Sequence, residues 1–100
     1  MIIVTGFMRV DAAQRDAFVD NAAGVMAASR AEAGCDAYAM TADPIESDIV
    51  LITEEWQSPE AIAEHLASDH FAEFGASLGD FAITEVKVMQ HEVSASSQLM

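Results

Sequence analysis

The sequence predicts an α+β fold, in which a four-stranded antiparallel sheet carries its helices on one face in the order βαββαβ. Three observations point there. Runs rich in β-branched and apolar residues stand at 2–10, 35–42, 48–56 and 81–93. A long Ala-rich stretch of helical periodicity separates the first run from the second, and a shorter stretch headed by Ser-Pro-Glu separates the third from the fourth. Between the second and third runs there is only a break at Asp43–Pro44, too short for a crossover, so those two strands are antiparallel.

In the first run, Ile2, Val4, Met8 and Val10 point to one side of a strand, and Ile3 and Phe7 to the other. Asp11 with Gln14 three residues on is an Asp variant of the capping box, so a helix is expected from there to about Ala33. Its apolar stripe is Phe18, Ala22, Val25, Met26 and Ser29. Gly24 in mid-helix costs about 1 kcal/mol relative to Ala and leaves room for another backbone to approach. Gly34 stands where a left-handed helix-terminating residue is expected. After the hairpin, Ser58 caps a helix, Pro59 takes its first position and Glu60 meets its dipole. Ile62, His65 and Leu66 lie on this helix. A second helical piece begins near Ser68 or Asp69, carries Phe71, Phe74 and Leu78, and is expected to end at Gly79. Residues 94–100 have no period and are expected to be a frayed tail, so the folded domain is placed at 1–93. The whole is the ferredoxin-like, split-βαβ arrangement.

Composition narrows the partners. Seventeen acidic residues against four basic ones give a net charge of −13. Arg9, Arg15, Arg30 and Lys87 cannot form the basic stripe that nucleic acid or an anionic membrane surface requires. No apolar run approaches the roughly 20 residues of a membrane span. The Met1–Ile2–Ile3–Val4 start lacks a basic n-region, a long enough apolar core and a cleavage site, so it is not expected to be a signal peptide. The acidic excess is expected to be the solubility device of a cytoplasmic protein. Cys35 is the lone cysteine, expected to be a buried, inert thiol. Hydrophobic residues make up 52% of the chain, and the first and third strands are apolar on both faces. Helices cover only one face of such a sheet, so a homodimer packed through the sheet faces is expected.

The segments Ser29–Arg30–Ala31–Glu32–Ala33–Gly34–Cys35–Asp36–Ala37–Tyr38 and Glu55–Trp56–Gln57–Ser58–Pro59–Glu60–Ala61, followed by His65 and His70, resemble the antibiotic biosynthesis monooxygenase family. That family includes small cofactor-independent quinol and anthrone monooxygenases, and the likeness runs from residue 2 to about 92. It implies a dimeric α+β barrel with a ligand cleft between sheet and helices in each subunit. A haem-degrading branch of similar chains carries an Asn on the first strand, then a Trp and a later His on the second helical region. Here the first strand has no Asn, His65 stands at the Trp position and Gly75 near the later His, so haem degradation is not expected.

Dioxygen reacts slowly with closed-shell molecules unless a flavin or metal, or the substrate itself, supplies the electron. No Gly-x-Gly-x-x-Gly fingerprint occurs in the chain, and no cofactor or metal is expected. The substrate would then be a phenolate, hydroquinone or anthrone-like anion, held in a dry pocket with a base and oxyanion donors. His65, at the edge of an apolar stripe, is the leading base candidate, since imidazole ordinarily titrates near ~6.5. It could equally be a histidine bonded to backbone at the helix–sheet seam. His70 shares a face with Phe74 and is the second catalytic candidate, or a capping residue. As a metal pair the two are disfavoured, because i, i+5 spacing on one continuous helix separates them and no third ligand stands out. Trp56 is either a pocket wall with an indole donor or a strand anchor. Tyr38, Phe7, Phe71 and Phe74 are candidate substrate contacts, or core. Arg30 is expected to pair with Glu32, Glu54 or Glu55. Two other functions stay open: a non-catalytic dimer binding a small apolar ligand, and an isomerase or decarboxylating enzyme using His65 without oxygen.

Overall fold

The computed structural model describes residues 1–100. Its elements are β1 (Ile2–Val10), α1 (Arg15–Arg30), β2 (Cys35–Ala42), β3 (Ile49–Trp56), α2 (Pro59–Leu66), α3 (Asp69–Ser77), a 3-10 turn at Leu78–Asp80 and β4 (Ile83–Glu92). The sheet order is β2-β3-β1-β4, with every neighbouring pair antiparallel. This is the ferredoxin-like α+β architecture the sequence predicts. No helix is long and apolar enough to cross a membrane.

Register decides which side chains meet the helices. Ile2 lies opposite Trp56, Val4 opposite Glu54 and Met8 opposite Val50, while Tyr38 of β2 lies opposite Glu54. Because side chains alternate along a strand, Ile2, Val4, Val10, Tyr38, Met40, Val50, Ile52 and Trp56 share the helix-facing side. There they close one core with Phe18, Ala22 and Val25 of α1 and Phe74 of α3. Phe18 meets Phe74 and Phe81 edge to face, with ring centroids 5.9 and 5.2 Å apart. Phe81, expected to open the last strand, instead caps this aromatic cluster, and β4 starts two residues later.

The ends of α1 differ from expectation. Asp11 heads a turn rather than the helix: its Oδ1 accepts from the Ala13 N–H at 2.9 Å, and its carbonyl accepts from the Gln14 N–H at 2.8 Å. Gln14 is the cap residue and makes no side-chain cap bond; its Oε1 accepts from the Ala82 N–H and ties the helix start to the residue just before β4. At the other end no glycine has a positive φ. Gly34 is required for space instead, since a Cβ there would run into Ala61 Cβ at the start of α2. Nothing approaches Gly24 within 4 Å, so no backbone uses the room it leaves. Gly79 lies within the 3-10 turn, beyond the end of α3.

Only 15 of the 100 residues are buried, few enough that the subunit alone leaves large apolar areas open. On the sheet face away from the helices stand Ile3, Phe7 and Leu51, the last 38% exposed. Along β4, Val86 and Val88 lie opposite Met8 and Gly6, yet no helix reaches far enough to cover them.

Candidate active site

Ser58 Oγ accepts from the Ala61 N–H at 3.1 Å and Pro59 follows, which sets the direction of α2. The helix stops at Leu66, where Ser68 restarts the chain as α3 by accepting from the Phe71 N–H and donating to the His65 carbonyl. The two-residue break has a consequence that spacing alone conceals. On one continuous helix, residues five apart point roughly 140° apart. Here both His65 and His70 turn onto a single oxygen of Glu32, in the loop after α1.

His65 is buried, 3% exposed, among Trp56, Phe71 and Tyr38, whose rings lie 4.6, 5.1 and 5.2 Å from its own. Its Nδ1 is 2.7 Å from Glu32 Oε2 and 3.5 Å from Ser29 Oγ. A carboxylate only accepts, so this nitrogen carries the proton, and in the neutral imidazole the lone pair sits on Nε2. Nε2 has no partner within the chain. Every fully enclosed side-chain nitrogen or oxygen in the structure does have one. Nε2 therefore opens on the cleft that His65 lines.

That cleft lies between the sheet and α2–α3 and has a volume of ≈ 330 Å³. Eleven of its 15 lining residues are hydrophobic, among them Val4, Met8, Met40, Ile62, Phe71 and Phe74, so a bound molecule would be largely shielded from water. The polar groups facing it belong to His65, Tyr38, Glu54 and Gln90. Glu54 Oε1 accepts from the Trp56 indole N–H at 2.8 Å, while Oε2 has no partner. Burial raises the Glu54 carboxyl above its ordinary range, opposed by the Trp56 hydrogen bond and, whenever His65 is protonated, by the imidazolium charge. Burial, and next the Glu54 charge, push the Tyr38 phenol well above its usual range, so it stays a neutral hydroxyl. Cys35 is partly buried; desolvation and then Glu32 raise its thiol, leaving it protonated and unreactive at neutral pH.

His65, Tyr38, Phe71 and Phe74 thus converge on one cleft. Three other candidates do not. Phe7 stands on the opposite face of the sheet, because odd positions of β1 point away from the helices. Trp56 is fully buried behind the cleft; its N–H is committed to Glu54, so it positions that carboxyl and packs against His65 instead of meeting a ligand. His70 lines a separate groove between α1 and α3. Arg30 pairs with no acid: its Nε–H donates to the Tyr38 carbonyl at 2.8 Å and fastens α1 to β2. Two acidic residues enter the site unannounced. Glu54 had a signal, since Val50, Ile52, Glu54 and Trp56 alternate onto one face and a carboxylate among them must be buried. Glu32 had none, because its histidine partners lie 33 and 38 residues away.

Residues 1–77 match the model of the antibiotic biosynthesis monooxygenase family, and the chain belongs to that family. Among solved structures it is similar to a Bacteroides thetaiotaomicron protein of unknown function described as a possible oxidoreductase. That pair shows 29% identity and a TM-score of 0.82, over 92% of this chain and 96% of the other. A candidate antibiotic biosynthesis monooxygenase from Deinococcus radiodurans is 25% identical with a TM-score of 0.82, over 100% and 99% of the two chains. One from Nitrosomonas europaea, 14% identical over 95% and 100% of the chains, shares the fold with a TM-score of 0.85. No curated protein matches the chain.

Proposed function

We propose that the protein is a cofactor-independent monooxygenase acting on a hydroxylated aromatic, quinol or anthrone-like substrate, with His65 as its base. The observation that carries this reading is the Glu32–His65 pair: a carboxylate 2.7 Å behind Nδ1 fixes the tautomer that presents a bare Nε2 to an apolar cleft. That is the arrangement of an oriented general base. Membership of the antibiotic biosynthesis monooxygenase family supports this reaction class.

With an anthrone-like substrate the chemistry proceeds as follows. Nε2 takes a proton and leaves a delocalised carbanion. The anion gives one electron to dioxygen, and the resulting radical pair combines into a peroxide on the former carbanion carbon. Loss of the remaining C–H proton and cleavage of the O–O bond leave one oxygen as a new carbonyl and release the other as water. The substrate supplies all the electrons. Glu54, whose carboxyl burial holds protonated more readily than usual, is suited to protonate the departing oxygen. The neutral Tyr38 hydroxyl, hydrogen-bonded to Ser29, is suited to donate to the substrate oxyanion once it turns from that partner.

The unit of function in this reading is a cytoplasmic homodimer. A second copy packed on the Ile3–Phe7–Leu51 face, and over the bare β4, covers what the single chain leaves open. Dioxygen uptake with a panel of hydroquinones and anthrones tests the activity. Saturable binding of panel members without uptake would favour the ligand-binding alternative.

A further inference from the structure

Glu32, His65 and His70 hold more chemistry than an oriented base requires. One carboxylate oxygen faces two imidazole nitrogens, at 2.7 Å to His65 Nδ1 and 3.2 Å to His70 Nε2. The three donor atoms lie within 4.8 Å of one another. Tetrahedral ligands at Zn²⁺ bond lengths of about 2.0–2.1 Å stand roughly 3.3 Å apart. The His70–Glu32 separation of 3.2 Å is already near that value; the Glu32–His65 pair at 2.7 Å and the two histidine nitrogens, no more than 4.8 Å apart, come to it with side-chain movements of at most about 1.5 Å. Two imidazoles with one carboxylate suit a borderline transition ion such as Zn²⁺ rather than Ca²⁺ or Mg²⁺, which prefer oxygen.

The site also has an approach. His70 is about a quarter exposed, and it opens on the α1–α3 groove of ≈ 200 Å³, whose walls include Asn21, Glu73 and Ser77. Gly24 contributes no side chain to that wall, so the groove stays open beside His70. A net charge of −13 favours cations near the surface. The metal would enter from the side of His65 opposite the substrate cleft, because Nδ1 faces Glu32 and Nε2 faces the cleft.

We infer that Glu32, His65 and His70 bind one Zn²⁺-class ion, and that its occupancy turns His65 from a proton acceptor into a proton donor at the cleft. The second half rests on the reading of His65 as base. A neutral imidazole has one N–H. When a metal takes the lone pair of Nδ1, the proton must sit on Nε2, which can then no longer abstract one from a substrate. The ion therefore acts as an off switch placed behind the base, with the catalytic cleft itself unobstructed.

The test uses the full chain, with Zn²⁺ as the only added ligand. Competition against a chromophoric chelator should give one saturable site per chain. His70→Ala and Glu32→Gln should each weaken it by more than the roughly 10–100-fold that loss of an outer-shell partner costs, whereas His91→Ala, at the exposed end of β4, should leave it unchanged. Glu32→Gln keeps the side-chain shape and so provides an independent reading if His70→Ala is poorly folded. Long-range ¹H–¹⁵N spectra at about pH 8, above the ordinary histidine range, should show the His65 proton on Nδ1 without Zn²⁺ and on Nε2 with it. Equal affinity in wild type, His70→Ala and Glu32→Gln would overturn the site. Saturable binding that leaves the His65 tautomer unchanged would overturn the switch. Neither readout needs a substrate: a wild type that binds Zn²⁺ and moves the proton but consumes no dioxygen contradicts the oxygenase reading and leaves the metal site standing.

Discussion

Replacing Trp56 by Phe separates the role of the indole N–H from that of the ring. Trp56 is fully buried, and its N–H donates to Glu54 Oε1 at 2.8 Å. A hydrogen bond to a charged group is worth about 1.5–3 kcal/mol net, against about 0.5–1.5 for a neutral pair. The smaller ring adds a void that costs on the order of 1 kcal/mol. The variant should therefore lose about 2.5–4 kcal/mol where Glu54 is ionised and about 1.5–2.5 where it is protonated. The sign with pH follows from the direction of the Glu54 shift. Its folded carboxyl is raised above its ordinary value, so its favourable contribution is complete below the unfolded carboxylate range and is lost as pH climbs through the folded range. Removing the N–H removes an influence that lowers this carboxyl, so the variant's deficit should widen on going from about pH 4 to about pH 8. Urea denaturation at one fixed protein concentration measures it, concentration being held because a dimer's midpoint depends on it. A deficit equal at both pH values would refute the bond between Trp56 and an ionisable Glu54. A deficit below about 0.5 kcal/mol would refute the burial of the ring.

Other perturbations test the packing and the dimer. Leu51→Asp puts an unpaired charge on the uncovered sheet face, and sedimentation should show a shift toward the 10.7 kDa chain or loss of folding. A wild type already at that mass at micromolar concentration would remove the dimer. Gly34→Ala drives a methyl into Ala61 and should cost about 1–3 kcal/mol by thermal or urea unfolding. An unchanged stability there would mean that α2 does not pack tightly on the loop after α1.

Much of the fold was legible because each element carries local chemistry that agrees with its surroundings. Ser58–Pro59 starts a helix where the sequence says one starts, and the alternation in β1 and β3 assigns Val4 and Phe7 to opposite faces. That same alternation places Phe7 on the sheet face away from the cleft, whatever its aromatic character. Legibility ends where a residue's role depends on a distant partner. Gly34 reads as a helix terminator but is set by Ala61, 27 positions away in sequence and touching in space. Gln14 reads as half of a capping box, yet it is taken by Ala82. The histidine spacing was misleading for a related reason. Ser68 is visible as a helix start, but that the break would aim both rings at Glu32 depends on where α1 ends relative to α2.

The measurement that bears most directly on the central claim is dioxygen uptake by chelator-treated protein presented with anthrones and hydroquinones, wild type beside His65→Ala. Wild type should consume dioxygen in proportion to substrate, and His65→Ala should be slower by roughly 10²–10⁴-fold, the usual worth of a general base. Its fold should be intact by circular dichroism. Uptake by His65→Ala at the wild-type rate, or no uptake by wild type with any substrate of the panel, would contradict the account of His65 as the base of a cofactor-independent oxygenase.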